Sequence, residues 1–164
     1  MGSGKTSLGK QLARRLKFEF LDTDLLIEEQ ENNSIQEIFS SRGESYFREL
    51  ENKLLLKICL LNKPTVFSTG GGMPIFHDNI SYLKNNGVVV FLDVPIGMLH
   101  FRLKNDTNRP LIASQENLLE YIKETLNERM PIYTQANLTI DASLNKSEQV
   151  DTIADFYNQA ILEK

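Results

Sequence analysis

Apolar and polar positions alternate along this chain in two rhythms, helical and extended, that follow one another from end to end. Over residues 4–16 the apolar positions recur at helical spacing, with the basic pair Arg14-Arg15 in the last turn. A short strand, Glu19-Phe-Leu21, follows and ends in Asp22-Thr-Asp24. Ser34-Ile-Gln-Glu37 is a capping box, in which the Ser and Glu side chains satisfy each other's backbone N–H groups, and it predicts a short helix through Phe39. A long helix is expected over about 44–61. Pro64-Thr-Val-Phe-Ser68 reads as a buried strand that stops at Gly70-Gly71-Gly72, and Val88-Val-Val-Phe-Leu92 is the clearest buried strand. Helical patterns return near 96–104, 116–129 and 147–162, with a last strand around Leu138-Thr-Ile140.

Such alternation predicts an α/β fold, a parallel sheet with helices on both faces in three α/β/α layers. In sheets of this kind ligands bind beyond the carboxyl ends of the strands. Asp22, Asp24 and Gly70 to Gly72 all fall there. No repeat or low-complexity linker interrupts the pattern, so residues 1–164 are read as one domain.

Composition narrows the function classes. A hydrophobic content of 41% and a charged content of 24% suit a globular domain with a real core. The net charge is −4 and no basic run stands out, which argues against a nucleic-acid partner. No apolar span of about 20 residues is present, so no membrane partner is expected and a cytoplasmic location is the default. Cys59 is the only cysteine, which excludes an intrachain disulfide; its apolar helical setting reads as an inert core thiol. His77 and His100 lie far apart without metal-ligand spacing and read as surface or packing residues.

The opening residues carry chemistry. Met1-Gly2-Ser3-Gly4-Lys5-Thr6-Ser7 reads as the back half of a phosphate-binding loop, Gly-x-x-x-x-Gly-Lys-Ser/Thr, with Gly4, Lys5 and Thr6 in its last fixed positions. Small residues let successive N–H groups curl around phosphate oxygens, and the helix that follows aims its N-terminus at the same anion. Lys5 would reach the β- and γ-phosphates and the Thr6 hydroxyl would hold Mg²⁺. A glycine-rich helix cap or an expression-tag scar would begin similarly, but a tag would not continue as Lys-Thr-Ser-Leu-Gly-Lys into an amphipathic helix. The first Gly of the pattern falls before residue 1. The expectation is therefore that the natural chain carries about ten further residues, an apolar strand plus Gly-x-x, and that this first strand is missing here.

Other polar groups collect at the strand ends. Asp22 and Asp24, two residues apart on an extended chain, would share one side. One could hold Mg²⁺ through water while the other takes a proton from a substrate hydroxyl; Asp24 could equally cap a helix starting at Leu25. Arg48 and Arg129 offer planar forks suited to a carboxylate. Their structural alternatives are an Arg48 pair with Glu44 or Glu51 on its own helix, and Arg129 as a favourable helix C-terminal charge. Three successive glycines expose main-chain N–H groups to close approach by a ligand. The polar stretch 104–116 reads as a lid that excludes water, with Arg109 placed to stabilise charge on a transferring phosphoryl group.

Taken in order, Gly4-Lys5-Thr6, Leu21-Asp22-Thr23-Asp24, Gly43-Glu44-x-x-Phe47-Arg48-x-x-Glu51, Ser68-Thr-Gly-Gly-Gly72, Arg109-Pro110-Leu111 and Arg129-x-x-x-Tyr133 resemble the shikimate kinase family over nearly the whole chain. The resemblance implies a P-loop kinase that phosphorylates the 3-hydroxyl of shikimate with ATP and Mg²⁺. It implies that Asp24 binds shikimate and acts as the base, that Asp22 with Thr6 supports the metal, and that Lys5 and Arg109 serve the transferred phosphate. Gly2, Ser3, Gly4, Lys5, Thr6, Ser7, Arg102, Arg109 and Asn145 would bind ATP. Arg48 and Arg129 would hold the substrate carboxylate, Phe47 and Phe39 would pack on its ring, and Gly70, Gly71 and Gly72 would contact it through the main chain. A monomer is expected. The alternatives are another small-molecule kinase, such as a gluconate-type kinase, and a non-catalytic nucleotide-binding module. A degenerate module should have lost Lys5, Asp24 or Arg109, and all three are present.

Overall fold

In the computed structural model, which describes residues 2–104 and 117–162, the carboxyl ends of two short strands converge on the start of the first helix. Helix α1 (Lys5–Leu16) begins after Gly4, whose φ of 85° lies in the left-handed region that glycine adopts without penalty. It buries Leu8, Leu12 and Ala13. Strand β1 (Glu19–Asp22) and helix α2 (Thr23–Glu31) follow without a loop. Asp22 is at once the last residue of the strand and the N-cap of the helix, its Oδ1 accepting the Asp24 N–H at 3.1 Å. The cap is therefore Asp22 and not Asp24, and the two carboxylates do not share a strand face: Asp24 already lies in the first turn of α2.

The two helices expected over 34–39 and 44–61 are halves of one element, α3 (Ile35–Cys59), kinked at Gly43. The capping box is formed in full: Ser34 Oγ accepts the Glu37 N–H at 3.2 Å, and Glu37 Oε2 accepts the Ser34 N–H at 2.8 Å. Strand β2 (Thr65–Ser68), a 3₁₀ turn (Met73–Ile75), α4 (Asn79–Asn86), β3 (Val90–Asp93), α5 (Ile96–Leu103), α6 (Leu118–Tyr133), β4 (Leu138–Asp141) and α7 (Lys146–Leu162) complete the order. Helix α4 was not expected; it is only eight residues long, too short to show a clear apolar stripe.

The strands pair in parallel, as expected, but in two pairs instead of one continuous sheet. β1 lies beside β2 with Asp22 opposite Ser68, and β3 beside β4 with Asp93 opposite Asp141. β2 and β3 do not pair with each other. Between them runs a largely apolar cavity of about 400 Å³, lined by Leu8, Leu12, Val66, Val90, Leu92 and Ile122 and reaching Gly70, Gly71 and Arg129. The main core joins α1, β3, β4, α5, α6 and α7 through Leu8, Leu92, Leu103, Ile122, Ile140 and Ile153. A second core, with Ile27, Ile38, Phe47, Leu50, Leu54 and Ile58, holds α2 against α3. Cys59 is half-buried beside Leu55, Met73 and Leu83, and burial pushes its thiol pKa up, as suits an unreactive packing residue.

Gly43 sits at φ 79° and ψ 174°, a region essentially closed to other residues, yet a Cβ there would meet nothing within 4 Å. Gly43→Ala should therefore lower stability by about 1–3 kcal/mol through backbone strain alone. Urea denaturation checks this; unchanged stability would mean that the kink can relax.

Candidate active site

Thr6, in the first turn of α1, reaches across to the end of β1. Its hydroxyl donates to Asp22 Oδ2 at 2.7 Å and lies 3.4 Å from Ser68 Oγ. The three groups meet because the β1–β2 register sets Asp22 beside Ser68. An all-oxygen pair of hydroxyl and carboxylate at a helix N-terminus suits Mg²⁺, which keeps several waters and takes one or two protein oxygens beside phosphate. Among the described residues no group of three His, Cys, Asp or Glu side chains is placed to hold a metal. Lys5 Nζ donates to Ser3 Oγ at 3.0 Å. Arg102, from α5, donates to the Gly2 carbonyl at 3.0 Å. Lys146, which the sequence reading did not single out, donates to Ser7 Oγ at 2.8 Å from the start of α7. The neighbouring Asn145, expected on the nucleotide side, uses its side-chain oxygen to accept the Glu148 N–H at 3.0 Å, a helix-cap role.

The glycine turn after β2 packs against charged groups. Thr23, 1% exposed, donates to the Ser68 carbonyl at 3.2 Å and accepts the Gly70 N–H at 3.3 Å, tying the turn to α2. A Cβ on Gly70 would fall 2.7 Å from Glu51 Oε1 and 2.9 Å from Asp24 Oδ1. One on Gly72 would collide with the Arg48 guanidinium. Neither position can carry a side chain unless these groups move. Gly71 turns its carbonyl to the Tyr133 hydroxyl at 2.6 Å.

Arg48 is buried, and each nitrogen of its fork makes a hydrogen bond. Nη1 donates to Glu51 Oε2, while Nε and Nη2 donate to Glu44 Oε1 at 3.1 and 2.7 Å. The pairing within its own helix is thus formed at the same time as the approach to Gly72. Phe76 stacks on the guanidinium at 4.6 Å and Phe47 at 5.4 Å. Phe47, expected on the substrate ring, is a core residue: 4% exposed, 4.8 Å from the Phe39 ring and packed among Ile27, Ile38 and Leu50. Its position supports Arg48 from beneath.

Glu51 is the group that sequence reading missed as an actor, since an arginine three residues earlier makes it look like half of a surface pair. It is 1% exposed. Burial pushes its carboxyl pKa up to about 7, against the lowering effect of Arg48, with Asp24 adding to the rise and Arg129 opposing it. Arg48 shows the mirror image: burial pulls its pKa down, but Glu51 and Glu44 outweigh this and raise it. One oxygen of Glu51, Oε1, is buried without a hydrogen-bond partner and faces the Gly70 backbone. Arg129, half-buried on α6, lines the same cavity as Gly70 and Gly71. Arg109 and the remainder of the expected lid after Lys104 lie outside the described residues.

The shikimate kinase family model matches residues 1–158. The chain is 44% identical over 150 residues to the shikimate kinase of Sulfurihydrogenibium sp. (strain YO3AOP1), covering 92% of this chain and 88% of that one. It superimposes with a TM-score of 0.87 on the shikimate kinase of Acinetobacter baumannii solved in complex with shikimate, at 35% identity, over 99% of this chain and 89% of that one. A gluconokinase from Sinorhizobium meliloti shares the fold alone, with a TM-score of 0.60 and 16% identity over 100% of this chain and 93% of that one. Matching motifs, sequence and backbone agree, and the chain belongs to the shikimate kinase family.

Proposed function

We propose that this protein transfers the γ-phosphoryl group of ATP to the 3-hydroxyl of shikimate, giving ADP and shikimate 3-phosphate in the synthesis of chorismate and aromatic amino acids. One observation carries the reading: the Gly70–Gly72 turn lies against Asp24 and Arg48, while the neighbouring strand end brings Asp22 to the phosphate-loop hydroxyl of Thr6. An acceptor site and a nucleotide site thus share one edge of the fold. That the Acinetobacter baumannii relative was solved with shikimate supports the choice of substrate.

Each residue then has a physical task. Gly2, Ser3, Gly4 and Ser7 cradle phosphate through the main chain and the helix N-terminus. Lys5 neutralises the β- and γ-phosphates. Thr6 and Asp22 would hold Mg²⁺, which would supply neutralisation of phosphate charge. Asp24 accepts the proton of the substrate hydroxyl as its oxygen bonds to the γ-phosphorus and the bond to the ADP oxygen breaks. Arg109 stabilises the charge that spreads over the transferring group, and Arg102 and Asn145 border the nucleotide. Arg48 and Arg129 bind the carboxylate; Glu51 keeps Nη1 of Arg48 while the half-exposed Glu44 yields its side of the fork to the substrate. Phe39 and Phe76 flank that region, with Phe47 below. We take the enzyme to be a cytoplasmic monomer; among the described residues no helix is long and apolar enough to cross a membrane.

A coupled ADP-release assay with shikimate tests the reading, and absence of shikimate-dependent ADP would end it. Lys5→Ala should cut kcat at least about 100-fold through lost phosphate neutralisation. Arg48→Ala should raise the shikimate KM by about 100-fold with little change in the ATP KM, since it removes one side of a buried charge-assisted contact; equal losses for both substrates would contradict the assignment. Glu51 imposes a pH dependence on stability. Its folded pKa lies above that of an exposed carboxylate, so its contribution is fully present below about pH 4.5 and is lost as pH rises through about 7. Between pH 5 and 8 the wild type should therefore lose stability relative to Glu51→Gln, by at most about 3 kcal/mol, in paired denaturation curves.

A further inference from the structure

Tyr133 ends α6 four residues after Arg129, so the two side chains rise from one face of the helix. Its ring stacks on Phe91 of β3, with centroids 5.1 Å apart and an interplanar angle of 29°. The stack accounts for a ring at this position but not for a hydroxyl, which a phenylalanine would lack. That hydroxyl donates to the Gly71 carbonyl at 2.6 Å, a contact between residues 62 apart in sequence. No other side chain among the described residues hydrogen-bonds to Gly71.

The consequence follows from peptide geometry. The Gly71–Gly72 peptide is trans, so its C=O and N–H point in opposite directions. Holding the carbonyl therefore sets the direction of the Gly72 N–H. Gly70 spends its N–H on Thr23, whereas Gly71 and Gly72 offer theirs to no acceptor among the described residues. A turn of three glycines has the least intrinsic preference of any tripeptide for one conformation. The bond from the Met73 N–H to the Gly70 carbonyl at 3.2 Å closes the turn, but a turn so closed accommodates its central Gly71–Gly72 peptide in either of two orientations, and Tyr133 selects one from the helix that also carries Arg129.

We propose that Tyr133 is a positioning residue of the acceptor site, fixing the Gly71–Gly72 peptide at a set distance from the Arg129 guanidinium so that the small carboxylated substrate meets main chain and cation in one pose. The inference rests on the proposed shikimate reading. Its role is distinct from catalysis, because the hydroxyl is already committed to the Gly71 carbonyl.

Tyr133→Phe keeps the ring and removes only the hydroxyl. Initial rates with shikimate and ATP varied separately should show the shikimate KM raised about fivefold to tenfold, the loss of one well-formed hydrogen bond. The ATP KM and kcat should stay within twofold. Phe91→Leu, which removes the stack and leaves the hydroxyl, should keep the shikimate KM within twofold of wild type even if the melting temperature falls. A merely structural tyrosine would give the reverse ordering, or would shift both KM values together. Either result overturns the inference, as does a shikimate KM in Tyr133→Phe equal to that of the wild type. Should the wild-type protein release no ADP with shikimate, the functional reading falls and this inference falls with it; wild-type turnover with an unaffected Tyr133→Phe variant sinks the inference alone.

Discussion

The parallel pairing of β1 with β2, ending in register at Asp22 and Ser68, is the constraint from which the site is built. Because both strands stop at the same level, the groups that follow them emerge side by side: Thr23 and Asp24 from one, the glycine turn from the other. Thr23 then locks the two exits together through a buried hydroxyl that both donates and accepts. A slip of one residue would turn every side chain of the strand to its other face and separate Asp22 from Thr6. The position of α1 obeys the same logic. A Cβ on Gly9 would stand 2.7 Å from the Phe20 ring, so only a glycine lets this helix lie close enough to β1 for Thr6 to reach Asp22.

Close packing at the strand ends is obtained at an electrostatic cost. Glu51, Arg48 and Asp24 crowd around Gly70 and Gly72, and the buried carboxyl of Glu51 is left with an oxygen that no donor satisfies. A buried ion pair of this kind is a poor source of stability, because desolvation offsets most of the attraction. Its use lies in direction: Arg48, restrained by Glu51 and lying over the rings of Phe47 and Phe76, keeps a planar fork beside the turn. Glu44, 48% exposed, holds the other side of the fork far less firmly. On the proposed reading, the asymmetry between the two glutamates is what would let one guanidinium be both anchored and open to a substrate carboxylate.

Much of this was legible in the residues themselves. The capping box at Ser34, the glycine-led start of α1 and the strand–glycine boundary at Ser68 are local signals, and each is found in the structure. What failed to show were properties that only tertiary contact creates. Glu51 and Thr23 carry no local mark of burial. Phe47, three residues before Leu50 on the apolar stripe of α3, belongs to the core through packing with α2 that no spacing on its own helix reveals. The alternative of a cap at Asp24 failed by a single residue: a strand ending at Asp22 rather than Leu21 moves the helix start, and with it the relation between the two carboxylates.

The division of the strands into two pairs has a bearing on how the halves of the site are held. β1, β2 and α2 carry Asp22, Asp24 and the glycine turn, whereas α6, which enters the main core through Ile122 and stacks Tyr133 on Phe91 of β3, carries Arg129. Helix α1 packs against both strand pairs: its Leu8 and Leu12 share the main core with β3 and β4, on which Val66 of β2 also packs, while its Thr6 bonds Asp22 at the end of β1. Apolar packing of this kind is non-directional, so hydrogen bonds that cross from one strand pair to the other fix the orientation it leaves open. The Tyr133 hydroxyl, anchored through its ring to Phe91 of β3 and bonded to the carbonyl after β2, is such a contact. It joins the helix that carries Arg129 to the turn that lies against Arg48, and on the proposed reading it sets the spacing between the two arginines.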